Sequence, residues 1–207
     1  QQKSDIAAHN HRSGPFDRNG APAFGAAFPA AALAAGGFFG NIDAAVMGDL
    51  QVRSAKPDFD AFFDSYVAAY NRSLSERVDV KAIRSHFSES FIAAGPGSVM
   101  TGDNDEAFGE TLEKGYAFYK SIGTKKMEVT GVDVTDIDDG HSLAKVHYRA
   151  EYEKDGETIA IPFSVSYMLE ERDGHLKIFG FVAGDEMALY RQYGLTLPAE
   201  RQGDRPD

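Results

Sequence analysis

Tyr66 and Tyr70 stand one helical turn apart and are the residues of this chain best placed to do chemistry. A phenol held away from water donates a hydrogen bond and polarises a carbonyl oxygen. Proton transfer beside that carbonyl would need a base. The candidates are His147, His86, Glu151 and the Asp185-Glu186 pair, with His147 and Asp185 the first choices. Further polar groups for a ligand are Tyr116, Ser164 and Ser166. Each also has a plainer reading. Buried tyrosines find hydrogen-bond partners whatever the function. His147 shares a strand face with Arg149 and Glu151, a charged side that is solvated or at an interface. His86 ends a short helix, where a cation suits the dipole, and Asp185 is a good helix N-cap. Ser164 and Ser166 share a face with Met168, and alternation leaves open whether that face lines a cavity or looks outward. His141 and His175 lie beside turns and are expected to be exposed. No zinc-type spacing, phosphate-binding Gly-rich loop or Ser-His-Asp order in a recognised context occurs, so no metal and no cofactor are expected.

The elements that must hold these residues follow from pattern. From Met127 to Ala183, runs of β-type sequence are separated by Asp139-Gly140, Asp155-Gly156 and Asp173-Gly174, each a strong hairpin signal. Alternation is clear in Val146, Tyr148, Ala150 and Tyr152 and again in Ile161, Phe163, Val165, Tyr167 and Leu169. The inner strands are long enough to run ~40 Å, and sheets of that length twist, curl and take bulges. Upstream, Asp58 caps a first helix whose Phe59, Phe62, Phe63, Tyr66, Val67 and Tyr70 form a broad apolar stripe. Asp79 caps a short second helix. A short strand over 91–94 and the turn Gly95-Pro96-Gly97 lead to a third helix, capped by Asp103 or Asn104 and stopped by Gly123. The pattern predicts an α+β fold, a curled antiparallel sheet wrapped around N-terminal helices, over 57–196.

Composition narrows the partners. From Asp58 onward, 28 acidic residues face 16 basic ones, which argues against nucleic acid and anionic membrane. No stretch is long and apolar enough to form a transmembrane helix. There is no cysteine, so disulfides and thiolate sites are excluded. Residues 1–56, rich in Gly, Pro and Ala, read as a disordered or non-native extension, with translation expected to start at or near Met47, the first methionine. A secretory signal built on Ala26–Phe39 is the competing reading, and cytoplasmic placement is the expectation. His9 and His11 in that arm are expected to be solvated, and 197–207 to be a flexible tail.

The order of elements, with "FFDSYVAAYN", "SESFIAAGPG" and "LKIFGFVAGDE", resembles the NTF2-like superfamily of cone-shaped α+β barrels, which includes SnoaL-like cyclases and ketosteroid isomerases. The resemblance implies a homodimer through the outer sheet face and a small apolar ligand held between the first helix and the sheet. If the protein is an enzyme, it implies cofactor-free lyase, isomerase or cyclase chemistry with Tyr66 as electrophilic donor. The isomerase base, however, falls on Gly95, and its acidic donor near Ser164, or Phe163 or Val165 if the register slips. Neither carboxyl is present, so that mechanism is disfavoured. The alternative is a non-catalytic dimerisation or accessory module whose cavity is filled by its own aromatic rings.

Overall fold

Four aspartates start the four helices in the same way. Asp58, Asp79, Asp105 and Asp185 each accept the backbone N–H three residues on, at 2.8 to 3.1 Å, which satisfies a donor the helix cannot. The computed structural model describes residues 57–195. The expected extension over 1–56, with Met47, His9 and His11, and the expected tail lie outside the described residues. The helices are α1 (Phe59–Ser75), α2 (Val80–Arg84), α3 (Glu106–Ser121) and α4 (Glu186–Gln192); the strands are β1 (Phe87–Gly95), β2 (Ser98–Asp103), β3 (Thr124–Asp136), β4 (His141–Lys154), β5 (Glu157–Arg172) and β6 (His175–Ala183).

One six-stranded sheet has the order β2-β1-β6-β5-β4-β3. The expectation of an antiparallel sheet is corrected at one pair, since β1 runs parallel to β6. The expected short strand extends from Phe87, and Gly95-Pro96-Gly97 joins it to β2, which lacks alternation because it is an exposed edge. With Asp103 in that strand, α3 takes Asp105 as its cap. Asn104 instead donates to the carbonyls of Arg84 and Phe87, at 2.9 and 3.1 Å.

Two of the three Asp-Gly pairs make the expected two-residue turns, with positive φ at Asp155, Gly156, Asp173 and Gly174. Asp139-Gly140 does not. The connection over 137–140 is longer, and Asp138 closes it by accepting from Gly140 N at 2.8 Å and from His141 Nδ1 at 2.9 Å. Bulges interrupt β3–β4 between Val129 and Gly131, and β5–β6 between Met168 and Leu169. Pro162 stands in β5 beyond the point where β6 has ended, at Ala183 opposite Val165, so its missing N–H costs no bond to that strand.

The inner face of the sheet carries Ala144, Val146, Tyr148, Ala150, Ile161, Val165, Tyr167, Leu169 and Phe181, all buried against α1 and α3. The outer face bears His147, Arg149, Ser164, Ser166 and Met168. It also exposes Val99, Ile92, Val182 and Leu143.

Candidate functional site

Eight of the nine tyrosines are fully buried, so the interior has a phenol on nearly every element that borders it. Tyr66 and Tyr70 come from α1, Tyr116 and Tyr119 from α3, Tyr148 and Tyr152 from β4, Tyr167 from β5 and Tyr190 from α4. The helical pairs repeat at three or four residues and the strand pair at four, which is why each set shares one face. Their rings pack closely: Tyr70 lies 5.2 Å from Tyr116 and 6.0 Å from Tyr119, and Tyr152 lies 5.8 Å from Tyr190. Burial pushes every one of these phenols above its ordinary range, so all stay neutral and keep a proton to donate. Tyr148 and Tyr167 hydroxyls pair with each other at 2.9 Å, and Tyr190 donates to Glu186 at 3.0 Å. The Tyr70 hydroxyl is fully buried and has no hydrogen-bond partner among the described residues.

The carboxylate at this site is Glu186. It is 6% exposed, and its charge opposes ionisation of Tyr66, Tyr70, Tyr119, Tyr152, Tyr167 and Tyr190. Asp185, the residue expected there, is exposed and spends its side chain capping α4. The correction has a simple cause. Two adjacent acids at a helix start diverge, one folding back over the first turn while the next points along it.

The other expected residues do not converge on the tyrosines. Ser164 and Ser166 lie on the outer face, the second of the two placements that alternation leaves open, and so apart from Tyr66, Tyr70 and Tyr116. His147 is on that face too, away from the interior phenols, bonded to Ser164 and Asp133. Arg149 and Glu151 join Glu128 in exposed ion pairs. His141 pairs with Asp138, His175 is exposed, and Gly95 ends β1. Three surface clefts of about 440, 390 and 350 Å³ lie between α2 and α3 and beside the β1, β5 and β6 ends, outside the tyrosine interior. Among the described residues no cluster of His, Asp and Glu is arranged to hold a metal ion, and no helix is long and apolar enough to cross a membrane.

His86 is buried at the α1–α2 junction, edge-on to Phe62 and Tyr66. Its Nδ1 lies 2.8 Å from the Ala82 carbonyl, which only accepts, so Nδ1 carries the proton and Nε2 accepts from Ser65 Oγ at 2.6 Å. Burial, aided by the Lys177 charge, holds its pKa below the ordinary value against the raising effect of backbone hydrogen bonds to Ala82 and Ile83. A folded value below the unfolded one means the unfolded chain takes the proton first. Stability is therefore full above about pH 6.5 and falls as pH drops below it. Urea unfolding at pH 7.5 and 5.5 should show this loss in the native chain and a smaller one in His86→Phe; equal losses would clear His86 of the effect.

Several solved structures are similar to this chain at low identity. An NTF2-like protein with a cystatin-like fold from Novosphingobium aromaticivorans is 13% identical, with a TM-score of 0.49 over 67% of this chain and 86% of that one. An NTF-2 like protein of unknown function from Shewanella oneidensis is 16% identical, with a TM-score of 0.44 over 60% and 94%. A ketosteroid isomerase-like protein from Erwinia carotovora is 14% identical, with a TM-score of 0.43 over 60% and 90%. No curated protein matches. Residues 56–186 match the family model described as NTF2-like protein (DUF6841), and the chain belongs to that NTF2-like family.

Proposed function

We propose that the tyrosine interior binds a small, largely apolar molecule bearing one acceptor oxygen, a ketone or enol, which takes the hydrogen bond of Tyr70. One observation carries this reading: a neutral phenol, wholly buried beside Tyr116 and Tyr119, has no hydrogen-bond partner among the described residues. Leaving a buried donor unsatisfied costs about 1 to 3 kcal/mol, and a bound acceptor removes that cost. Glu186, hydrogen-bonded by Tyr190 at 3.0 Å, is a buried group that can take or return a proton, and the surrounding phenols are donors for the oxyanion that results. The chemistry this suits is cofactor-free proton transfer next to a carbonyl, of the isomerase, lyase or cyclase kind, with Tyr66 and Tyr70 as donors. The close ring packing favours the second reading, in which the aromatic side chains fill the interior and the domain serves as an accessory module.

Tyr70→Phe separates the two. Without its hydroxyl the free protein should gain about 1 to 2 kcal/mol of stability. Thermal-shift measurements with a panel of hydrophobic ketones and phenols should show compounds that raise the Tm of the native chain and raise that of Tyr70→Phe less. Equal shifts in both proteins would remove Tyr70 from the site, and a panel that shifts neither would favour the accessory module.

A further inference from the structure

The outer face of the sheet holds a second constellation, independent of the interior. Asp133 of β3, His147 of β4 and Ser164 of β5 lie on neighbouring strands. His147 Nε2 is 2.9 Å from Asp133 Oδ2, and His147 Nδ1 is 2.9 Å from Ser164 Oγ. The carboxylate only accepts, so Nε2 carries the proton and Nδ1 is left as the acceptor for the serine hydroxyl. That is the connectivity of a serine nucleophile, an imidazole base and an orienting carboxylate, with the two ring nitrogens exchanging the roles they have in the standard triad.

The backbone is shaped to permit it. His147 pairs directly with Ser164 on one side and with Gly131 on the other, and the bulge beside Gly131 interrupts β3 at that point. A Cβ at Gly131 would stand 3.7 Å from His147 Cδ2, an ordinary van der Waals contact, so this position lies against the imidazole without crowding it as it reaches Asp133. Lys145 faces Asp133 in register and adds a positive charge on the same face. His147 is 38% exposed at its side chain, so a substrate can approach. The exposed apolar residues Val99, Ile92 and Val182 belong to β2, β1 and β6, across the sheet from these three strands.

We propose that Ser164 is a reactive serine, activated by His147 and positioned through Asp133, and that it accepts acyl groups from activated esters at the protein surface. Ser164 Oγ forms a bond to the ester carbonyl carbon as its proton passes to His147 Nδ1. The tetrahedral intermediate, its oxyanion in the field of Lys145, collapses with cleavage of the carbon–alkoxide bond, and the alcohol leaves with the proton from Nδ1. Water, deprotonated by the same nitrogen, then releases the acid and restores the serine. The sum is one ester and one water giving one acid and one alcohol. Asp133 holds the imidazole and stabilises the imidazolium.

A fluorophosphonate probe tests this on the whole chain: Ser164 Oγ bonds to phosphorus, and fluoride leaves with the serine proton. Peptide mapping should place the label on Ser164, with none on Ser90, an exposed serine bonded to the Asp103 carboxylate at 2.8 Å. Ser164→Ala should abolish labelling, and His147→Gln should slow it roughly 100-fold or more, the usual share of a general base. Asp133 is 77% exposed, so Asp133→Asn should fold normally. It should slow labelling, and Asp133→Glu, which returns a carboxylate to the imidazole, should recover part of that rate; a merely structural aspartate would leave labelling unchanged in both. p-Nitrophenyl acetate should be turned over faster by the native chain than by Ser164→Ala. Labelling spread over other serines, an unchanged rate in Ser164→Ala, or no reaction above that of free serine would each reduce the three residues to a cross-strand hydrogen-bond network and overturn the proposal.

Discussion

Gly123→Ala should destabilise the protein by about 3 to 4 kcal/mol, and Gly156→Ala by only about 1 to 2 kcal/mol. The two glycines have the same φ of +82°, so an alanine pays the same left-handed backbone penalty at both. Their surroundings differ. Among the described residues nothing lies within 4 Å of a Cβ built at Gly156, whereas at Gly123 that atom would stand 2.2 Å from the Glu153 carbonyl oxygen. A backbone oxygen held in a paired strand cannot swing aside as a lysine tip would. The junction must open, and with it the hydrogen bond from Glu153 N–H to the Gly123 carbonyl, 2.8 Å long. Gly123 also joins α3 to β3, so the same opening shifts Tyr116 and Tyr119 against Tyr152. Urea unfolding of the two variants side by side measures the difference directly, and equal losses would mean that the contact with β4 relaxes freely. Tyrosine fluorescence and near-ultraviolet dichroism should change in Gly123→Ala and stay native-like in Gly156→Ala.

The register of β3 on β4 shows how far local sequence rules reach. Asp139-Gly140 is as good a two-residue turn signal as its two successors, yet the chain builds a longer loop there. A two-residue turn would have set Val132 opposite His147 and Val134 opposite Lys145. The observed pairing sets Val132 against Val146 and Val134 against Ala144, keeping apolar residues on the buried face. A slip of one residue turns a strand over, so burial of a whole face outweighs one turn's preference. The alternation that decides this is written in the sequence, but the decision needs both strands at once. The same holds for Asp133, His147 and Ser164, which are 14 and 17 residues apart along the chain and meet only once that register is set. Helix caps and buried stripes need only a few neighbouring residues, and Asp58, Asp79, Tyr66 and Tyr70 were legible for that reason. The parallel pairing of β1 with β6 joins segments about ninety residues apart and leaves no local trace. Glu186 was legible only as half of the Asp185-Glu186 pair. Asp185 has the better capping chemistry, and once it caps α4 its neighbour is the carboxylate left to turn inward.

Asn71→Ala should cost about 2 to 3 kcal/mol, a large loss for a half-buried polar side chain. β3 is an edge of the sheet, and its outward N–H and C=O groups are the kind of exposed template on which other chains pair. Asn71 covers that edge at Met127. Its Oδ1 accepts from the Met127 N–H and its Nδ2 donates to the Met127 carbonyl, both at 2.8 Å, so the side-chain amide pairs as a strand would. This two-point bracket fixes α1 on the sheet, and α1 carries Tyr66 and Tyr70. Alanine leaves both Met127 groups unmatched. Aspartate is the sharper test: it keeps the acceptor but turns a second acceptor, with a negative charge, toward the carbonyl. Its folded pKa should therefore rise above the unfolded one, so the damage is greatest at pH 7 and shrinks as pH falls and the carboxyl regains a proton to donate. Protonation of His86 weakens the native chain over part of the same range, so the quantity to measure is the stability of Asn71→Asp minus that of the native protein at each pH. That difference should narrow between pH 7 and pH 4.5. A gap that stays constant would show that the Met127 carbonyl does not depend on a donor from α1, and that the bracket is a single hydrogen bond to the N–H.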